Sequence, residues 1–101
     1  MESKIVQLQK VTDQAKQELE QKAREVKDSQ ERLDVVKELL RSLDLEDQER
    51  ISINDTQYPE LLGMHHMAKD AYETAQKRYE TNQRYLDKML LTTAAASSKK
   101  G

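Results

Sequence analysis

The sequence predicts an all-α protein in which two long helices pair as an antiparallel coiled-coil hairpin, a fold that two copies can extend by dimerising into a four-helix bundle. Apolar residues recur at heptad spacing on both sides of a short break. Charged residues make up 36% of the 101 residues, yet the formal net charge is only −2, and there are just two glycines and one proline. Such a chain can bury a narrow seam between helices but not a thick core.

The first helix is predicted from about residue 4 to residue 45. With Ile5 at heptad position a, the a and d positions are mostly apolar, and their polar exceptions are Thr12, Lys22 and Ser29. The pattern lasts for about six heptads, beyond the three or four at which a coiled coil becomes the preferred interpretation.

A connection is predicted over about residues 46–57, where the heptad pattern stops. The run Asn54-Asp55-Thr56 is typical of a turn. Pro59 suits the first turn of a new helix, where its missing N–H is not needed. The second helix is therefore predicted over about residues 58–91, with His65 at position a and Leu61 at position d. Residues 1–91 would form the hairpin, and residues 92–101, which have lost the heptad, are predicted to form a flexible tail.

The a and d residues of both helices define a predicted seam. Large side chains pack against small ones when the numbers of facing residues sum to 101, so that Leu33 faces Ala68 and Ser29 faces Tyr72. A register one heptad away, with a sum of 108, is the alternative. The predicted seam residues are Ile5, Leu8, Leu19, Val26, Leu33, Val36, Leu40, Ala68, Tyr72, Ala75, Tyr79, Leu86 and Met89.

No catalytic, metal-binding or cofactor-binding site is predicted. The chain has no Cys and no glycine-rich phosphate loop, and a two-helix rod offers no pocket on which Ser, His and Asp can converge. His66 and Asp70 have the i,i+4 spacing of two metal ligands, but no third ligand is near. His65, Tyr72 and Tyr79 fall on the seam, where we expect them to serve in packing.

Surplus apolar residues cluster near the predicted connection, more than one two-helix seam can bury. One interpretation is that Ile51, Ile53 and their neighbours fold back as a cap, and the other is an interface with a second copy or another protein. Isolated hairpins of this size are marginally stable, which favours association, and methionines suit an adaptable contact surface. The predicted partner-binding residues are Leu39, Ile51, Ile53, Leu61, Leu62, Met64 and Met67.

These features predict a non-enzymatic coiled-coil scaffold or assembly subunit that binds protein, either as a homo-oligomer or within a larger helical complex. The alternative is a small helical chaperone or adaptor that holds a protein client. The near-neutral charge argues against nucleic-acid binding, and no stretch reaches the roughly 18 apolar residues of a membrane span. The lack of Cys and of an apolar leader predicts the cytoplasm and is also compatible with the nucleus.

Overall fold

The computed structural model describes the backbone of residues 3–99 and the side chains of residues 3–93, and this part of the chain is helical with no strand. Helix α1 spans Lys4–Leu40 and helix α3 spans Tyr58–Lys99. Between them lie a short helix α2, Asp47–Ser52, and a π-helical turn, Ile53–Gln57. The two long helices pair as an antiparallel hairpin, which confirms the predicted fold class.

The hairpin divides into two compact units, each of which contains a stretch of both long helices. The first, here called the terminal unit, combines the residues up to Gln21 with those from Glu73 onward. The second, the turn unit, spans Lys22–Tyr72 and includes the connection between the helices.

Polar side chains satisfy the backbone groups at both ends of α1. At its start the Ser3 hydroxyl accepts a hydrogen bond from the Val6 N–H at 3.2 Å, which caps a donor that has no partner inside the helix. At its end the Arg50 guanidinium donates to the Leu40 carbonyl and, at 2.8 Å, to the Ser42 carbonyl. Because Arg50 lies in α2, these bonds tie the returning chain to the end of α1.

The connection lies earlier in the chain than predicted. Helix α1 ends at Leu40, not near residue 45, and only residues 41–46 separate it from α2. From Asp47 onward the backbone is helical through α2, the π turn and α3, so the prediction of a connection over residues 46–57 is wrong. The break in the heptad therefore marked a change in helix type and not a loop.

The π turn explains how Pro59 is accommodated inside a continuous helix. Proline lacks an N–H and its ring collides with the carbonyl four residues earlier, so it disrupts a regular α-helix. Just before it, the Tyr58 N–H donates to the Ile53 carbonyl, five residues back, which widens the turn. Helical backbone thus extends back to Asp47, twelve residues before Pro59, while α3 itself begins at Tyr58, where the second helix was predicted to start.

The predicted seam residues are all buried or partly buried in the structure. Leu33, Val36, Ala75 and Leu86 are buried outright, and the remainder of the set is half-buried. The polar seam residue Thr12 is buried too, with its hydroxyl donating to the Leu8 carbonyl at 2.7 Å.

Helix α1 ends earlier in the chain than predicted, and helix α3 ends later. Leu43, which continued the heptad of α1, is almost fully exposed because the helix has ended before it. The predicted tail is also helical as far as Lys99, because α3 continues past Leu91 through a run of alanines, the residue with the highest helix propensity. Residues 100 and 101 of that tail lie outside the described residues.

The register of the hairpin differs from the predicted one by a full heptad. In the turn unit, Ser29 Oγ lies 2.7 Å from His65 Nδ1, so these facing residues have numbers that sum to 94 and not to 101. In the terminal unit, Arg78 Nη1 lies 2.8 Å from Glu18 Oε2. Both residues occupy g positions, whose numbers sum to 96 in the register where facing a and d residues sum to 94. Neither the 101 register nor the alternative of 108 is therefore formed.

The pairing of large with small side chains could not reveal this shift, because the same pairing recurs when one helix slides by seven residues along the other. Ala68 and Ala75 are one heptad apart, and so are Tyr72 and Tyr79. A slip of one heptad replaces each alanine by another alanine and each tyrosine by another tyrosine. The error in register has the same origin as the error in the connection, since a turn placed too late in the chain raises the sum of the facing numbers.

Candidate protein-binding surface

A shallow apolar groove runs along one side of the turn unit. Heptad positions c, d and g of both helices supply most of its lining, with Val35 and Val36 from α1 and Leu61, Met64 and Met67 from α3. Its floor continues over Ala68 and Ala71, where small side chains leave space between the helices. We call this surface the turn groove.

The exposed large apolar side chains that the two long helices contribute to the turn unit lie on the side of the turn groove, while Leu43 and Ile51, outside those helices, are exposed elsewhere. Val35 is 66% and Met67 is 72% exposed, and Leu39 and Met64 are exposed as well. All four occupy c or g positions of the long helices. The side formed by the b and e positions is instead polar, with exposed Lys27, Asp34, Lys37, His66 and Lys69. This one-sided distribution is typical of a surface that packs against another molecule.

Acidic residues dominate the charge around the turn groove. Its lining includes three carboxylates, from Glu25, Asp28 and Glu31, and one guanidinium, from Arg32, which gives a formal net charge of −2. Glu25 pairs with Lys22 at 3.4 Å. Asp28 and Glu31 form no ion pair with another described residue, so their charges are available to a partner.

The predicted partner-binding residues fall into two groups in the structure. Leu61, Met64 and Met67 line the turn groove, and Leu39 shares its side of α1. The other three do not contribute to it. Ile53 is buried, as the cap interpretation expected of it, Ile51 is exposed on α2, and Leu62 is half-buried at an e position.

Ser29 of α1 and His65 of α3 form a partly buried polar contact between the two long helices. The Ser29 hydroxyl lies 2.7 Å from His65 Nδ1 and 2.9 Å from the Val26 carbonyl. A hydroxyl has one proton, so both contacts are satisfied when the hydroxyl donates to the carbonyl and Nδ1–H donates to the hydroxyl oxygen. Every buried side-chain polar atom among the described residues has a hydrogen-bond partner.

A serine beside a histidine also resembles the nucleophile and base of hydrolytic enzymes. In the arrangement that satisfies both contacts, the serine proton goes to the Val26 carbonyl and not to the imidazole. Both residues sit inside helices, whose backbone N–H groups are already hydrogen-bonded and so offer no oxyanion hole. The geometry supports a packing role in which the pair joins the two helices at one defined position.

The described part of the chain also lacks the features of a metal site and of a membrane-spanning helix. No group of three His, Asp or Glu side chains close enough to hold a metal ion occurs there. His66 and Asp70, the pair with ligand spacing, are both exposed on α3. No helix in this part of the chain combines the length and the apolar character needed to cross a membrane.

Two parts of the turn groove are absent from the predicted partner-binding residues, although Val35 belongs to the surplus of apolar residues predicted near the connection. Val35 supplies one of its most exposed apolar side chains, and Asp28 supplies part of its acidic border. Both occupy c positions, as Met67 does, so sorting the exposed residues by heptad position would have found the side of the hairpin on which they lie.

Comparisons with protein-family models, with curated proteins and with solved structures give no match for this chain.

Proposed function

We propose that this protein is a non-enzymatic coiled-coil scaffold or assembly subunit that binds another protein through the turn groove. The observation that carries the proposal is the confinement of Val35, Leu39, Met64 and Met67 to one side of the unit, while the other side is charged. An apolar cluster of this kind on one side of the paired helices is typical of a surface that packs against another molecule.

The apolar area of the groove sets the scale of the binding energy. Fully burying a Val, Leu or Met side chain contributes roughly 1.5–3 kcal/mol, so covering four that are about half exposed contributes roughly 3–6 kcal/mol. Association itself costs roughly 4–15 kcal/mol. Covering the turn groove alone therefore supports at most a weak complex, and a stable assembly needs a second contact.

Site-specific photo-crosslinking in the full chain tests this proposal. A photoreactive amino acid is placed at Met67, inside the groove, or at His66, one residue earlier and on the polar side. In the cells that make the protein, we expect a discrete adduct from position 67 and none from position 66. The adduct should disappear when Val35→Gln and Met64→Gln are added, with circular dichroism confirming that both variants remain helical.

Equal labelling from positions 67 and 66, or no adduct from position 67, would show that the groove binds no protein. Equal labelling is what random collisions produce, because His66 and Met67 are both exposed.

A second candidate is a small helical chaperone or adaptor that holds a protein client in the same groove. The observation that favours it is the pair of exposed methionines, Met64 and Met67, because unbranched, polarizable side chains adapt to different partners. Crosslinking over time separates the two candidates. A structural subunit should give one constant adduct, whereas a chaperone should give a mixture whose composition changes when protein synthesis is stopped.

A further inference from the structure

The terminal unit carries a groove of its own, here called the terminal groove. Leu8 and Val11 of α1 and Tyr85 and Met89 of α3 form its apolar part. Val11 is 49% and Tyr85 is 61% exposed, so two of the larger side chains on this surface are not covered by the hairpin. Val11 and Tyr85 occupy g positions, as Leu39 and Met64 do in the turn unit.

The terminal groove has the opposite charge to the turn groove. Lys4 lines this groove, and Lys88 lines an adjoining depression that shares Tyr85 and Met89 with it. Taken together, the two depressions have a formal net charge of +2. Neither lysine forms an ion pair with another described residue. The turn groove has a formal net charge of −2, with Asp28 and Glu31 likewise free of ion pairs within the described residues. One chain thus presents two apolar grooves whose charges match each other in size and differ in sign.

We propose that the occupant of the turn groove is the terminal groove of a second copy of this chain. Val11 and Tyr85 of one copy would cover Val35, Met64 and Met67 of the other. Lys4 and Lys88 would approach the carboxylates of Asp28 and Glu31. This inference rests on the proposed function and names the partner that the function requires.

The reciprocal contact supplies the second interface that a stable assembly needs. In a two-fold dimer each copy contributes its turn groove to one contact and its terminal groove to the other. The apolar gain is then made twice, while the loss of translational and rotational freedom is paid once.

The charges also disfavour a dimer in which two turn grooves, or two terminal grooves, face each other. Two turn grooves facing each other would bring six carboxylates together against two guanidinium groups, and two terminal grooves would bring four lysines together. Juxtaposed like charges oppose association. The unlike pairing places each positive groove on a negative one, so the charges select the contact that the apolar residues stabilise.

Charge reversal in the full chain tests the inference. Lys4→Glu with Lys88→Glu makes both grooves acidic, and Asp28→Lys with Glu31→Lys makes both grooves basic. We expect the wild-type protein to be a dimer by sedimentation equilibrium at low salt. We expect each double variant to raise the dimer dissociation constant at least about tenfold, since like-charge contacts at an interface are strongly unfavourable.

Two combinations restore the complementary charges. An equimolar mixture of the two double variants should form a heterodimer, and a single chain with all four substitutions should form a homodimer. Both should dissociate within about threefold of the wild-type constant, because every contact again joins unlike charges. Circular dichroism on each variant shows that these exposed substitutions leave the helices intact.

The crosslinked position gives an independent readout of the same contact. A photoreactive group at Met67 should label the Val11 or Tyr85 peptides of the second copy. A wild-type monomer up to millimolar concentration, a dimer indifferent to the charge changes, or labelling of the second copy's own turn unit would each overturn the inference. If the wild-type chain is monomeric but position 67 still captures a different protein in cells, the proposed function stands and only the identity of the partner is wrong.

Discussion

Replacing Ser29 with alanine should destabilise the hairpin through His65, a residue on the other helix. The Ser29 hydroxyl lies 2.7 Å from His65 Nδ1, and the imidazole is buried in the seam. Alanine cannot hydrogen-bond to this ring nitrogen, and His65 is only 6% exposed to water that could replace the bond. The variant therefore leaves a buried polar group without a partner.

The magnitude follows from two opposing effects. An unsatisfied buried polar group costs about 1–3 kcal/mol. Alanine at a helix interior returns about 0.5 kcal/mol relative to serine because of its higher helix propensity. The net loss in the free energy of unfolding should be about 1.5 kcal/mol, which corresponds to a fall in Tm of about 6–12 °C for a domain of this size.

A double-mutant cycle with His65→Leu isolates the contact. Leucine needs no hydrogen bond, and Ser29 keeps its bond to the Val26 carbonyl at 2.9 Å. In the leucine background Ser29→Ala should therefore be neutral or slightly stabilising, which gives a coupling energy of about 1–3 kcal/mol. The assay is urea unfolding followed by circular dichroism, at a protein concentration where self-association is held constant. A coupling energy below about 0.5 kcal/mol would refute the assignment of Ser29 and His65 as an energetically linked pair.

Three further changes test the fold. Cysteines at Leu33 and Leu61, whose numbers sum to 94, should form a disulfide within one chain, whereas cysteines at Leu33 and Ala68, a heptad out of line, should not. Mass spectrometry after oxidation distinguishes the two results, and a disulfide between positions 33 and 68 would support the predicted register instead. Gly63→Ala should raise the free energy of unfolding by about 0.8 kcal/mol, because a Cβ there meets nothing within 4 Å and alanine favours a helix; a loss of stability in the same urea assay would contradict this. Arg50→Ala should cost about 1.5–3 kcal/mol, since it removes charged hydrogen bonds to the carbonyls that end α1, and unchanged thermal unfolding would show that those bonds contribute nothing.

The helices and their buried faces followed from the sequence. A heptad needs only local information, because residues three and four apart share one face of a helix wherever that helix lies. The predicted seam from Ile5 to Met89 accordingly lies in buried or partly buried positions. The apolar spacing misleads beyond this set, at Leu43, which continues the heptad but is exposed because α1 has already ended.

The candidate surface was predictable in part. An excess of apolar residues near the turn was visible in the composition, and Leu61, Met64 and Met67 do line the turn groove. The excess alone could not separate them from Ile53, which is buried in the π turn. That distinction depends on how the chain reverses direction, and the reversal occurs over residues 41–46 instead of at the predicted connection.

The heptad spacing was enough to predict two long helices, the apolar face of each, and a width of those faces that suits a single seam. The alignment of the two helices became visible only in the folded hairpin. A heptad repeat matches itself after every seven residues, so apolar packing leaves registers that differ by a heptad close in energy. The alignment was decided by features that do not repeat: the Arg50 bonds to the carbonyls of Leu40 and Ser42, the π turn before Pro59, and the contact between Ser29 and His65.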